Sequence, residues 1–185
     1  MTVLAVLAAA PGAGAQWIQI PPKRSCRDLP DGYVCSTKTQ VTFGYPAGWR
    51  ARAYDDGGML VRSLIWITTE PFRAPCTTEG ATTTCRPPVG TLRPNGVAAA
   101  WYVGGTRDLA ELPGEFRTIG GHRAKVQVLH APCPGLGGDE QIQAWIETRR
   151  EHILYSLRAC LRGPELAPLE TAIADVMSSA RFPYG

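Results

Sequence analysis

Most of the chain alternates apolar and polar positions with a period of two, and the breaks fall on glycine, proline and acidic residues, which predicts strands joined by tight turns. The run from Tyr33 to Phe43 puts Val41 and Phe43 on one face. Tyr45-Pro46-Ala47-Gly48 ends that run, and Trp49 is expected to cover the core beside the turn. Arg50 to Tyr54 and Met59 to Thr68 flank Asp55-Asp56-Gly57-Gly58, which is hairpin-turn chemistry. Val97 to Val103 is a further strand stopped by Gly104-Gly105, whereas Leu109 to Phe116 keeps no sustained period. Ala124 to His130, introduced by Gly120-Gly121, alternates again.

Residues 139–162 admit two drawings. Ile142, Trp145, Ile146, Ile153 and Leu157 fit one face of a helix, yet Ile142/Ala144/Ile146 and Ile153/Tyr155/Leu157 also alternate on either side of Thr148-Arg149-Arg150-Glu151. The hairpin is preferred. Strands over 124–130, 140–147 and 152–161 then form a meander whose first and third members end on one edge, bringing Cys133 to Cys160. After Gly163-Pro164, the spacing of Leu166, Leu169, Ile173, Val176 and Met177 traces one face of a C-terminal helix. The expected fold class is therefore α+β: an antiparallel sheet of about six strands with the helix packed on one face, stapled by disulfides. A chain of 185 residues suffices for one such domain, placed at 33–184.

Residues 69–96, rich in Pro, Thr and Gly, interrupt this pattern as a long loop excursion within the domain. A loop of that length is either a recognition surface or an ornament. Its Phe72, Arg73, Arg86 and Arg93 are the candidate binding residues.

The first fifteen residues change the picture of where the protein works. Val3 to Ala10 is apolar, a Pro/Gly break follows, and Ala13-Gly14-Ala15 has the small-x-small form of a signal-peptidase site, so 1–15 reads as a signal peptide cleaved after Ala15. No Lys or Arg precedes the apolar run, and the alternative is the end of a membrane anchor that tethers the domain through its N-terminus. Residues 16–32 follow as a leader, QWIQIPPKRS, with a disulfide hairpin. Six Cys behind an export signal read as a disulfide framework. Cys26 and Cys35 bracket the Pro30-Asp31-Gly32 turn, Cys76 and Cys85 bracket a turn at Gly80, and Cys133 with Cys160 completes the set. The chain is thus expected to be secreted or extracytoplasmic and associated with the cell surface.

Charge and motif content remove several function classes. A net charge of +3 with no basic block interleaved with aromatics gives no reason to expect nucleic-acid binding. No G-x-S-x-G, P-loop, H-E-x-x-H or G-x-G-x-x-G occurs, no spacing among the cysteines is that of a structural zinc site, and neither metal nor cofactor is expected. Gly137-Gly138-Asp139-Glu140-Gln141 approaches the GGDEF signature of diguanylate cyclases but lacks its Phe, and the reading preferred is a polar turn with Asp139 and Glu140 solvated. Asp55-Asp56 and Glu111 with Glu115 also lie in or beside turn signals, so solvation accounts for them too.

VTFGYPAGW near the start, IGGHRAKV in the middle, CLRGP after a strand and the closing MSSARFP together resemble uncharacterised secreted or membrane-tethered actinobacterial proteins. More loosely, the Y-P-x-x-W after a strand and the S-x-R-F after the final helix resemble the PsbP-like fold, an antiparallel sheet with helices packed on it. That resemblance implies a non-enzymatic accessory or binding protein. The expected function is an extracytoplasmic non-catalytic binding module whose partner is a protein, a cell-envelope component or an apolar ligand held between sheet and helix. The rival is a secreted hydrolase whose active site is assembled only by folding. A cavity lined by convergent ionisable groups, with His122, His130 or His152 facing it, would favour the hydrolase, and an apolar groove the binding module.

Overall fold

The computed structural model describes residues 16–19, 41–54, 61–74, 76–105, 107–148 and 154–182. Along the chain these form β1 (Gln16–Gln19), β2 (Thr42–Tyr45), β3 (Arg50–Ala53), β4 (Val61–Thr68), β5 (Cys76–Glu79), β6 (Thr82–Cys85), β7 (Val97–Gly104), β8 (Glu115–Ile119), β9 (His122–Leu129), β10 (Glu140–Glu147), β11 (Leu154–Leu161) and α1 (Leu166–Ser179). The expected segments 1–15 and 20–40, including the 26–35 hairpin, lie outside the described residues.

Seven strands make one sheet in the order β3-β4-β7-β11-β10-β9-β8, antiparallel throughout. After β7 the chain crosses to the far edge, and the meander β8 to β11 returns strand by strand until β11 pairs with β7. The hairpin drawing of 139–162 is the one observed, with Ile142 opposite Ala159 and Trp145 opposite Ser156.

Two expectations need correction. The sheet has seven strands, because Glu115–Ile119, which overlaps the end of the aperiodic Leu109 to Phe116 stretch and falls in no expected strand, forms the edge strand β8. Only Ile119 of that strand is buried, so an edge strand with polar residues on both faces leaves no apolar period to read. The run ending at Phe43 does not enter the large sheet. It pairs with β1 in a separate two-stranded ribbon, Ile18 opposite Phe43, and the turn that ends it closes with Trp49 N–H donating to the Pro46 carbonyl at 3.2 Å.

Alternation along the central strands divides the buried residues between two faces. Ile65, Ile67, Trp101, Ala144, Ile146, Tyr155 and Leu157 face α1, joined by Val41 and Phe43. Trp101 is fully buried at the centre of this face, with Phe43 at 5.8 Å and Phe182 at 5.9 Å between ring centroids. The helix presents Ile173, Val176 and Met177, as its spacing predicts, with Leu166 and Leu169 packed at the margin. Pro168 falls in the first helical turn, where backbone N–H groups have no intrahelical acceptor and its ring is tolerated.

The opposite face is covered by the chain itself. Trp66, Ala98 and Ala100 pack under Val89, Leu92 and Leu136, with Phe72 alongside. The 69–96 excursion is therefore only in part a loop: β5 and β6 form its projecting hairpin, and the return segment closes a second core. Cys133 and Cys160 bond within this core, their Cα atoms 6.0 Å apart, as the meander requires.

Candidate functional site

α1 packs against β2, β11 and β8 but does not cover the whole sheet face beneath it. Val126, Val128 and Ile142 remain as the floor of a groove of about 440 Å³, with Thr171, Ala174 and Met177 of α1 as its wall. Val128 is 44% exposed and is one of two large apolar side chains left open to solvent among the described residues. β8 supplies the outer rim through Arg117, Thr118 and Ile119. The charged groups sit at opposite ends: Glu170 beside Glu140 at one, and Arg117, opposite Ala124, at the other with Ser178.

Behind Glu170 lies a carboxylate that sequence reasoning placed in solvent. Glu140 is fully buried, because it is the first residue of β10 and stands in phase with Ile142, Ala144 and Ile146 on the helix-facing side. Its Oε2 lies 2.6 Å from Nδ1 of His130, which follows β9 on the neighbouring strand, and Glu170 of α1 contacts it from above. Burial raises the Glu140 pKa above the usual carboxylate value, the charge and hydrogen bond of Glu170 raise it further, and the His130 contact opposes both. Only Asp139 behaves as the turn reading expects: exposed, it accepts a hydrogen bond from the Gly163 N–H at 2.9 Å. The strand phase of Glu140 was the available signal, and the Gly137-Gly138 turn before it obscured it.

Among the described residues the cluster consists of two carboxylates and an imidazole. The hydroxyls in the groove wall are turned to their own helix, Thr171 Oγ1 donating to Ala167 O at 2.9 Å and Ser178 Oγ to Asp175 O at 3.0 Å. His122 is buried against Phe182, ring centroids 5.4 Å apart, rather than facing the groove, and His152 lies outside the described residues. Cys133 is held in its disulfide and so offers His130 no thiolate partner for a metal. Among the described residues no three His, Cys, Asp or Glu side chains stand together as a metal site.

The four candidate residues of the excursion separate into three roles. Phe72 is half-buried, bridged to Val89 and packed on the second core. Arg93 holds the buried Glu70, Nε to Oε2 at 2.8 Å, and its own N–H reaches Oε1 at 3.3 Å. Arg73 and Arg86 are exposed and line a cleft of about 630 Å³ with Thr77, Thr84 and Pro134. Lys125, which no pattern in the sequence singled out, is buried on the other side of the sheet, where its ammonium donates to the carbonyls of Ala110 and Leu112 and lies 4.8 Å from the Phe116 ring.

No protein-family model matches the chain, and no curated protein is significantly similar to it. Among the described residues no helix is long and apolar enough to cross a membrane. The buried Cys133–Cys160 bond fits an oxidising, extracytoplasmic environment.

Proposed function

We propose that this is an extracytoplasmic, non-catalytic binding module that holds an apolar ligand or side chain in the groove between α1 and strands β8 to β10. The observation that carries the reading is the exposed Val128 and partly exposed Val126, with buried Ile142 at the base of the groove, beneath a formed helical wall. A groove of a few hundred Å³, mainly apolar in its lining with a few polar and charged groups around it, is the usual architecture of a small-ligand site. Apolar surface left open on a folded domain costs solvation free energy that a ligand can recover. The export segment and the internal disulfide support a role outside the cytoplasm, as an accessory or binding protein of the cell envelope. The PsbP-like resemblance points the same way.

Val128 supplies the test, because it is exposed enough for a polar replacement to leave the core intact. Titration with decyl maltoside below micelle formation should perturb the NMR methyl resonances of Val126, Val128, Ile142 and Met177. Val128→Asp should abolish the response while leaving the unfolding midpoint close to that of the parent. Perturbations confined to other residues would refute the groove as the binding site.

A further inference from the structure

The charges at the ends of the groove restrict what can lie in it. Arg117 at one end is already held by Glu115, its Nη2 at 2.5 Å from Oε2, so that end is close to electrically balanced. The other end is not. Glu170 lines the groove, Glu140 lies against it, and the His130 imidazole is engaged with Glu140. Among the described residues no Lys or Arg forms an ion pair with Glu170.

We propose that the groove takes a free single-chain amphiphile with an ammonium head, its chain along Val126, Val128 and Ile142 and its head against Glu170. The proposal rests on the groove reading above and names the class of ligand. A cationic head supplies the counter-charge that the Glu170 end lacks, whereas a carboxylate or sulfate head placed there would meet Glu170, with Glu140 buried behind it. The apolar lining excludes water from one side of the contact, which strengthens a charge-assisted hydrogen bond relative to the same bond in bulk solvent. Glu170 and Ser178 are eight positions apart on α1, roughly 12 Å along the helix axis, a span that suits a chain of roughly ten carbons.

Three probes that share one chain and differ in head group test this: decylammonium, decanoate and decyl maltoside, each titrated below its micelle concentration near neutral pH and read by calorimetry. Decylammonium should bind about tenfold more tightly than decanoate, the scale of one charge-assisted hydrogen bond, with the maltoside between them. Glu170→Gln should bring decylammonium down to the maltoside value and leave the maltoside unchanged. Rising salt should narrow the gap between the charged probes in the parent protein, which tests the charge term without any substitution. Decanoate binding as tightly as decylammonium would overturn the ammonium proposal and leave the groove standing. Failure of all three probes to bind would overturn the groove reading itself.

Discussion

Nδ1 of His130 stands 2.6 Å from Oε2 of Glu140, joining an imidazole that is 81% exposed to a carboxylate that is fully buried. The pair ties the end of β9 to the start of β10, and Glu170 closes over it from α1. Helix and sheet thus meet at this point through titratable groups, and the apolar contacts of Ile173, Val176 and Met177 hold the rest of α1. The groups facing Glu140 are His130 and Glu170, one opposing and one reinforcing the effect of burial on its proton affinity.

Stability should therefore depend on pH through Glu140. A carboxyl whose pKa is higher folded than unfolded binds its proton more tightly in the folded state. Its stabilising contribution is fully present below the ordinary value of 4.5 and is lost as pH rises through the raised value. The urea midpoint of the parent protein should fall relative to that of Glu140→Gln as pH increases from about 4.5. The difference between the two proteins isolates this carboxyl from the other acids, and parallel profiles would show that Glu140 does not titrate differently on folding.

The Cys133–Cys160 bond closes a separation of 27 residues, for which loop-closure entropy gives about 3.5 kcal/mol. Replacing both cysteines by Ser should lower unfolding free energy by about that amount or somewhat less, because a structured denatured state reduces the gain. Peptide mapping without reduction should recover this pair. It should also recover Cys76 with Cys85, since Cys76 is disulfide-bonded and the β5–β6 register sets it opposite Cys85. The third expected pair, Cys26 with Cys35, is open to the same mapping, and any crossed pair would break the framework.

How much of this was legible depended on burial. β10 and α1 could be read because each buries one face, which imposes a period of two or of 3.6 on the sequence, whereas β11, buried on both faces, showed as an apolar run of strand length closing the meander. β8 was hidden because its side chains are almost all exposed, so only its register with β9 defines it. The second core was hidden for a different reason. Val89, Leu92 and Leu136 lie in segments without strand or helix and pack through tertiary contact alone, with no local period. Glu140 followed the strand phase, but its chemistry requires Glu170, thirty residues further along the chain, to be brought over it. No local pattern records that approach.

Gly138 is fixed by the disulfide rather than by its backbone angles. A Cβ built there would lie 2.4 Å from Sγ of Cys160, 2.7 Å from the Leu161 carbonyl oxygen and 3.0 Å from Sγ of Cys133. Gly138→Ala should destabilise the domain by about 1–3 kcal/mol, the range for overpacking a filled interior. Part of that cost should disappear in the background where Cys133 and Cys160 are both Ser, because the opposing sulfurs are then gone. Denaturant unfolding of the four proteins of this cycle measures the coupling, and strict additivity would place the strain at Leu161 alone.

Export can be tested at the N-terminus. The small-x-small sequence Ala13-Gly14-Ala15 directly precedes β1, which starts at Gln16 and pairs with Tyr45. Cleavage after Ala15 would leave that ribbon whole. Edman sequencing of the protein recovered from its native host should begin at Gln16, and a retained, membrane-bound segment would favour the tether instead.

The 69–96 excursion should divide into a part the fold needs and a part it does not. Leu92 is buried to 1% exposure in the second core, so Leu92→Ala should cost about 2–5 kcal/mol in unfolding free energy. The β5–β6 hairpin pairs only with itself among the described strands, and its described residues are mostly exposed. Replacing Thr77 to Thr84 by a short Gly/Ser link, with Cys76 and Cys85 changed to Ser, should therefore cost about 1 kcal/mol or less. That excision also removes one wall of the cleft holding Arg73 and Arg86. Weaker association of the excised protein with the cell surface would make this cleft a second contact with the envelope. Unchanged association would leave the hairpin an ornament and place the contact at the groove under α1, where Val128→Asp should then reduce it.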